Sequence, residues 1–300
     1  MTTSKSPNAI ARVAYAVAKQ SLPAYRHLKS PKKFTQHQLV ACLVLKEFFK
    51  KDYRGIEEIL RDSSDLQRIL ELEEVPHYTT LQKAAHRLTR KNILDKLIKK
   101  ILSLAVKAKI MQQKVHLLAI DGTGLESHHI SSYFVKRRAK YQSSYQMTTY
   151  TRYPKAGIIA DCSTHLILSG ISTRGPWPDI VHFQKAIIEA KKNASLSVLV
   201  ADAGYDSEKA HVFAREKHNI RTIIPPLIGR KTSKLPTGRY RRLMALRFNK
   251  KLYGQRWQVE TVNSMIKRNL GSFLRARSYW SQCREIMLRL FTHNVMIVWG

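Results

Sequence analysis

Carboxylates are scarce in this chain of 300 residues, with 21 Asp and Glu against 53 Lys and Arg and a formal charge of +32. Between Pro225 and Lys251 none occurs at all. A polyanion is the partner that matches such an excess, and nucleic acid leads, because each phosphate neutralised by Lys or Arg releases condensed counterions. The competing anionic surface is a membrane, but the chain has no run of about 18 consecutive apolar residues. Its start, MTTSKSPNAIARVAYAVAKQ, lacks a charged region followed by an apolar core and cleavage site. The expectation is a cytoplasmic protein with no membrane partner. Cysteine is also sparse: Cys42, Cys162 and Cys283 are far apart and form no C-x-x-C pair, so neither a zinc site nor a disulfide framework is indicated and buried reduced thiols are expected. Without a G-x-x-x-x-G-K-[ST] loop, ATP-driven chemistry is not indicated.

Apolar residues, in contrast, are plentiful at 44%, with 13 Tyr and 9 Phe, enough to bury a substantial core. From Thr35 to about Lys109 they recur at helical spacing, in LVACLVLKEFF, YRGIEEIL, TTLQKAAHRL and ILDKLIKKILSLAVKA. Residues 1–112 are therefore predicted to be an all-helical N-terminal region. Pro76 separates the second group from the third, and Thr79 or Thr80 is the predicted N-cap of the third helix. A short helix, a break and a second helix fit a DNA-binding helix-turn-helix, and equally a small supporting bundle.

After Val115 short runs rich in β-branched residues alternate with helical stretches, so residues 113–300 are predicted to be α/β. The predicted strands are VHLLAID, a stretch around YPKAGIIAD, THLILSGIS, SVLVAD and IRTIIP. Helices are expected from Asp179 to Ala190 and from Ser207 to His218. Three early strands in meander order, then strand-helix units, suggest a ribonuclease-H-like fold, a mixed sheet flanked by helices.

Two aspartates end apolar runs: Asp121 after VHLLAI and Asp202 after LSVLVA. A third carboxylate, Glu260, lies in YGQRWQVETVNSMIK. If that run is helical, Tyr253, Arg256, Glu260 and Lys267 fall within an arc of roughly 80°, with Val259, Val262 and Ile266 turned away to pack. Phosphodiester cleavage requires charge stabilisation on the attacking and leaving oxygens, which two divalent ions about 4 Å apart provide. Mg²⁺, or Mn²⁺, takes hard oxygen ligands such as Asp121, Asp202 and Glu260. Each aspartate singly has a plain alternative as a turn or cap residue.

Around these carboxylates lie the expected DNA contacts. Arg256 and Lys267 can hold a phosphate, with Tyr253 donating one hydrogen bond. Trp257 is expected in the core rather than against a base. The acid-free stretch contributes Arg230, Lys231, Arg239, Arg241 and Arg242, and a basic and aromatic loop after the first aspartate contributes Lys136, Arg137 and Arg138. Glu126, His128, His129, Asp161 and Asp206 are close enough in sequence to support the carboxylates, though nothing selects them.

With those residues in view, the chain resembles the DDE transposases of bacterial and archaeal insertion sequences, in the group related to insertion sequences four and five. The family signature Y-x2-R-x3-E-x6-K is met by Tyr253, Arg256, Glu260 and Lys267 without a gap, and Asp121 in AIDGTGLES and Asp202 in VADAGYDS resemble the two catalytic aspartates. The resemblance implies a ribonuclease-H-like fold, two Mg²⁺ ions, cleavage at the element's ends and transfer of the freed 3′-hydroxyl into target DNA. It also implies double-stranded DNA as partner, a homodimer or higher oligomer on that DNA, and association with the nucleoid. Asp202 and Glu260 stand only 58 residues apart, which leaves little room for the β-strand insertion of the best-understood relatives. The competing readings are a nuclease or resolvase that cuts without joining, and an inactive transposase-derived DNA-binding protein.

Overall fold

The structure is a computed structural model that describes residues 3–27, 29, 31–127, 153–175, 177–227 and 234–298. Helices occupy the first third: α1 (Pro7–Ser21), α2 (Gln36–Phe48), α3 (Tyr53–Asp62), α4 (Ser64–Ile69), α5 (Tyr78–Leu88) and α6 (Lys91–Lys107). Their starts show why. Thr35 caps α2 in a reciprocal box with Gln38, and Asp52 accepts from the Gly55 N–H at the start of α3. The predicted cap of α5 differs, since Thr79 and Thr80 lie inside its first turn. There Glu57, from α3, accepts the Tyr78 N–H at 2.7 Å. A carboxylate brought by tertiary packing thus does the work assigned to a local hydroxyl, and a linear pattern cannot show that.

The sheet begins with β1 (Lys114–Gly124), followed by a short β2 (Glu126–Ser127), β3 (Pro154–Asp161) and β4 (Ile167–Arg174). A 3₁₀ turn, Asp179–His182, leads into α7 (Phe183–Lys191), and β5 (Ser195–Val200) comes next. After a second 3₁₀ turn, Ala203–Tyr205, come α8 (Glu208–Val212), a π-helical turn over Phe213–Lys217 and β6 (Arg221–Ile223). The remainder is helical: α9 (Arg239–Leu246), α10 (Lys250–Tyr253), α11 (Trp257–Leu270) and, after β7 (Phe273–Leu274), α12 (Tyr279–Val298).

Strand order in the five-stranded sheet is β4-β3-β1-β5-β6. The first three strands are antiparallel neighbours, whereas β5 and β6 run parallel to β1. The predicted strands and the alternation of strand with helix are therefore present, in a mixed sheet with α7 on β3 and β4, and α11 on β1 and β3.

One buried cluster runs through the whole arrangement, and α12 joins its parts. This helix packs on α6, α2 and α1 on one side and on β4 and β3 on the other. Asn294 fixes it to the sheet, donating to the Ile167 carbonyl and accepting the Ile167 N–H, both at 2.9 Å. Inside lies an ion network: Glu47 between Lys46 (2.6 Å) and Arg289 (3.1 Å), with Arg289 also on Glu285 (2.6 Å). Lys46 and Arg289 hold the Glu47 carboxyl below its ordinary range although burial opposes this. The three cysteines are free and buried, as expected. Among the described residues no helix is long and apolar enough to cross a membrane.

Candidate active site

Parallel pairing of β1 with β5 puts their carboxyl ends side by side, and each end carries an aspartate. Asp121 lies within β1, opposite Ile158 of β3, and Asp202 follows β5 by two residues. Burial pushes the Asp121 carboxyl up to about 6; the negative charges of Asp202 and Asp179 push the same way, against the Gly122 N–H and the Arg256 guanidinium. Two carboxylates thus share one electrostatic environment at this edge. Asp202 also has the plain role foreseen for it, since its Oδ1 caps the following turn by accepting the Gly204 N–H at 3.0 Å.

The third carboxylate comes on α11. Val259, Val262 and Ile266 are buried as the stripe requires, which turns Glu260 outward in the first turn, where the helix dipole favours a negative charge. The single helix expected to carry all four signature residues is divided: α10 ends at Tyr253, Gly254–Arg256 form a 3₁₀ turn, and α11 starts at Trp257. Arg256 nevertheless reaches Glu260 at 2.5 Å. Trp257 is a correction, for it is 52% exposed rather than in the core. It shares its face with Glu260 and Ser264, opposite the apolar stripe.

Asn263, one turn beyond Glu260, donates its Nδ2–H to Asp121 Oδ2 at 2.8 Å. That contact ties the helix of the third carboxylate to the strand of the first. The spacing i, i+3 from Glu260 would have placed Asn263 on the same face. Two more groups escaped the sequence. Asp179 fills the space where a Cβ on Gly122 would stand, 2.3 Å from its Oδ1, and pairs with Lys155 at 2.5 Å. Tyr205 is fully buried, with no hydrogen-bond partner for its hydroxyl among the described residues, in the field of Asp179, Asp121 and Asp202.

Other predicted residues fall elsewhere. Arg241 lies against the buried Asp206, through Nε (2.9 Å) and Nη2 (2.7 Å) to Oδ2. Arg239 and Arg242 are exposed beside it, and Arg242 donates to the Pro236 carbonyl at 3.2 Å. Lys267 is half-buried on α11, and the Tyr253 ring packs on Phe248 at 4.9 Å. Asp161 is occupied by Ser163 and Thr164 in the β3–β4 turn, and Glu126 is exposed in β2. Lys136, Arg137, Arg138, Arg230, Lys231, His128 and His129 lie outside the described residues. Among the described residues no three His, Cys, Asp or Glu are grouped so as to hold a metal ion.

The fold and this edge define an α/β protein with paired aspartates at the ends of adjacent parallel strands and a glutamate on a helix packed behind them. A family model described as "Transposase DDE domain" matches residues 114–295, more than half of the chain. The chain belongs to that family, and its class is that of the transposases. Among solved structures it is similar to piggyBac transposase in a synaptic complex with hairpin DNA, seen by cryo-EM. That match has 10% identity and a TM-score of 0.46, over 97% of this chain and 71% of the other. No curated protein matches it.

Proposed function

We propose that this chain is a DNA transposase that hydrolyses phosphodiester bonds at the ends of an insertion sequence and joins the freed 3′-hydroxyls to target DNA. Asp121, Asp202 and Glu260 are its catalytic carboxylates, on a ribonuclease-H-like sheet, and the helical region before β1 belongs to the DNA-binding part. The observation that carries this reading is the Asn263–Asp121 hydrogen bond, which links the element bearing Glu260 to the aspartate pair. Water attacks the phosphorus and the bond to the 3′-oxygen breaks. In the second step the 3′-hydroxyl attacks a target phosphate, whose own 3′-oxygen departs, so one phosphodiester replaces another.

The donor set suits Mg²⁺ or Mn²⁺. Asp121 and Asp202 are hard oxygen donors; burial first, and then the neighbouring charge of Asp202, raises the Asp121 carboxyl, and a divalent cation would offset both. When bound, two such ions stabilise charge on the entering and leaving oxygens. The protein's own groups do the rest. Arg256 is shared between Glu260 and the field of Asp121, and a DNA phosphate that accepts from its guanidinium releases Glu260 toward the aspartates. Lys267, Arg239 and Arg242 supply further phosphate contacts.

Labelled donor ends incubated with the protein, target plasmid and Mg²⁺ test the reading. Joined products are expected, and Glu260→Gln abolishes them. Nicks without joining would indicate a nuclease instead, and full activity of Glu260→Gln would remove the glutamate from the mechanism.

A further inference from the structure

Away from the aspartates, the helical region and the start of α12 enclose a cavity of about 550 Å³. Its walls include Gln82 and His86 of α5, the segment Arg275–Ser278, and Arg284. A second cavity of about 280 Å³ shares Thr89 and Arg284 with the first and extends it past Arg90 to Lys185 and Trp280. The two form one trough.

Its charge is of one sign where a ligand would meet it. Both acidic residues on its wall are already satisfied: Glu47 by Lys46 and Arg289, and Glu285 by Arg289 and the N–H groups of Arg275 and Ala276. Arg277, by contrast, is exposed with no hydrogen-bond or ion-pair partner among the described residues, and Arg284 spends one N–H on Ser281 Oγ at 3.0 Å. At the far end, Trp280 is 71% exposed. It extends a ladder in which the Arg174 guanidinium lies 3.7 Å from the centre of the Tyr279 ring and Tyr279 lies 5.1 Å from Trp280. An exposed indole beside unneutralised guanidiniums provides a stacking surface next to phosphate ligands.

The trough is also tied to the aspartate edge. Its wall segment follows β7, which pairs with β2 just beyond the end of β1, and Gln282 donates to Ser127 Oγ at 2.7 Å. We infer that this trough seats a DNA strand, with its phosphates on Arg277 and Arg284 and an unpaired base on Trp280, and so leads DNA from α5 toward Asp121. The inference rests on the transposase reading for its partner. Without DNA to neutralise them, two chains of formal charge +32 repel one another, which disfavours a second copy as the occupant of this cationic trough.

Metal-free binding of a labelled duplex with a single-stranded overhang, measured by anisotropy across a salt series, tests it. Arg277→Glu is expected to weaken binding about 5- to 20-fold and to flatten the salt slope by about one to two. Trp280→Ala is expected to weaken binding of the overhang about 5- to 10-fold while leaving a blunt duplex less affected. Unchanged melting temperature and circular dichroism establish that both variants fold. Wild-type affinity and salt slope in both variants would overturn the inference, as would loss of a dimer with DNA binding intact. Because the assay requires no catalysis, it separates the two claims: normal trough behaviour without strand joining removes only the transposase reading, and joining without trough dependence removes only the trough.

Discussion

Asn263 and Asp121, 142 residues apart, meet in a 2.8 Å hydrogen bond across the packing of α11 on β1. The amide holds one oxygen of a carboxylate that also lies in the fields of Asp202 and Arg256. Removing a group that orients a ligating carboxylate typically costs 10- to 100-fold in metal affinity or activity. Asn263→Ala is therefore expected to lower strand cleavage about 10- to 100-fold with little change in DNA affinity, measured on the same labelled ends. Equal losses in cleavage and binding would show that the amide acts on the fold instead.

Charge crowding at the aspartates predicts a response to divalent ions that requires no substrate. Mg²⁺ at about 100 times its dissociation constant should stabilise the parent protein by about 2.7 kcal/mol in thermal melts. Asp121→Asn should melt higher than the parent without metal, because a half-buried charge beside Asp202 has gone, and should lose the Mg²⁺ shift. An identical shift in both proteins would place the ion elsewhere.

Acid should destabilise the fold through two buried histidines. His293 donates to the His165 carbonyl at 3.0 Å, His211 bonds to Thr222 Oγ1 at 2.6 Å, and burial pushes both down to about 4. The unfolded chain then binds more protons than the folded one between about pH 6.5 and 4. Their contribution is thus fully present above pH 6.5 and is lost as pH falls through that window, on the order of 2–3 kcal/mol for each. Denaturant titrations at pH 7 and pH 4.5 measure the slope, and His293→Gln should remove its share.

The Glu47–Arg289 pair, each side chain 3% exposed, should be among the most sensitive sites in the core. Arg289→Ala leaves Glu47 and Glu285 buried and under-compensated, and is expected to cost about 3–5 kcal/mol by chemical denaturation. A loss under about 1 kcal/mol would mean that water reaches the network.

Much of this arrangement is legible from local pattern. Runs of β-branched residues locate β1, β3 and β5, so the aspartates that close two of them fall at one sheet edge, and the 3–4 spacing of Val259, Val262 and Ile266 fixes which way Glu260 faces. Long-range pairing was not legible. Arg241 belongs to Asp206, 35 residues away, although its stretch of sequence shows only unopposed positive charge. Glu57 caps α5 from α3, and the 3₁₀ turn at Gly254–Arg256 interrupts a pattern that a uniform helix would also satisfy. Asn263 was within reach, since it lies three residues after Glu260, but a neutral amide draws less notice than a charge.

The place of α12 has a consequence for biosynthesis. Helices from the first third of the chain and strands from its middle both close against residues 279–298, so neither can finish its core while the ribosome is still translating the segment between. At roughly 5–20 residues per second the early helices wait many seconds with apolar faces uncovered. Holdase chaperones should therefore engage this nascent chain until α12 emerges, and an mRNA cut short before Tyr279 should yield aggregate rather than a smaller folded protein.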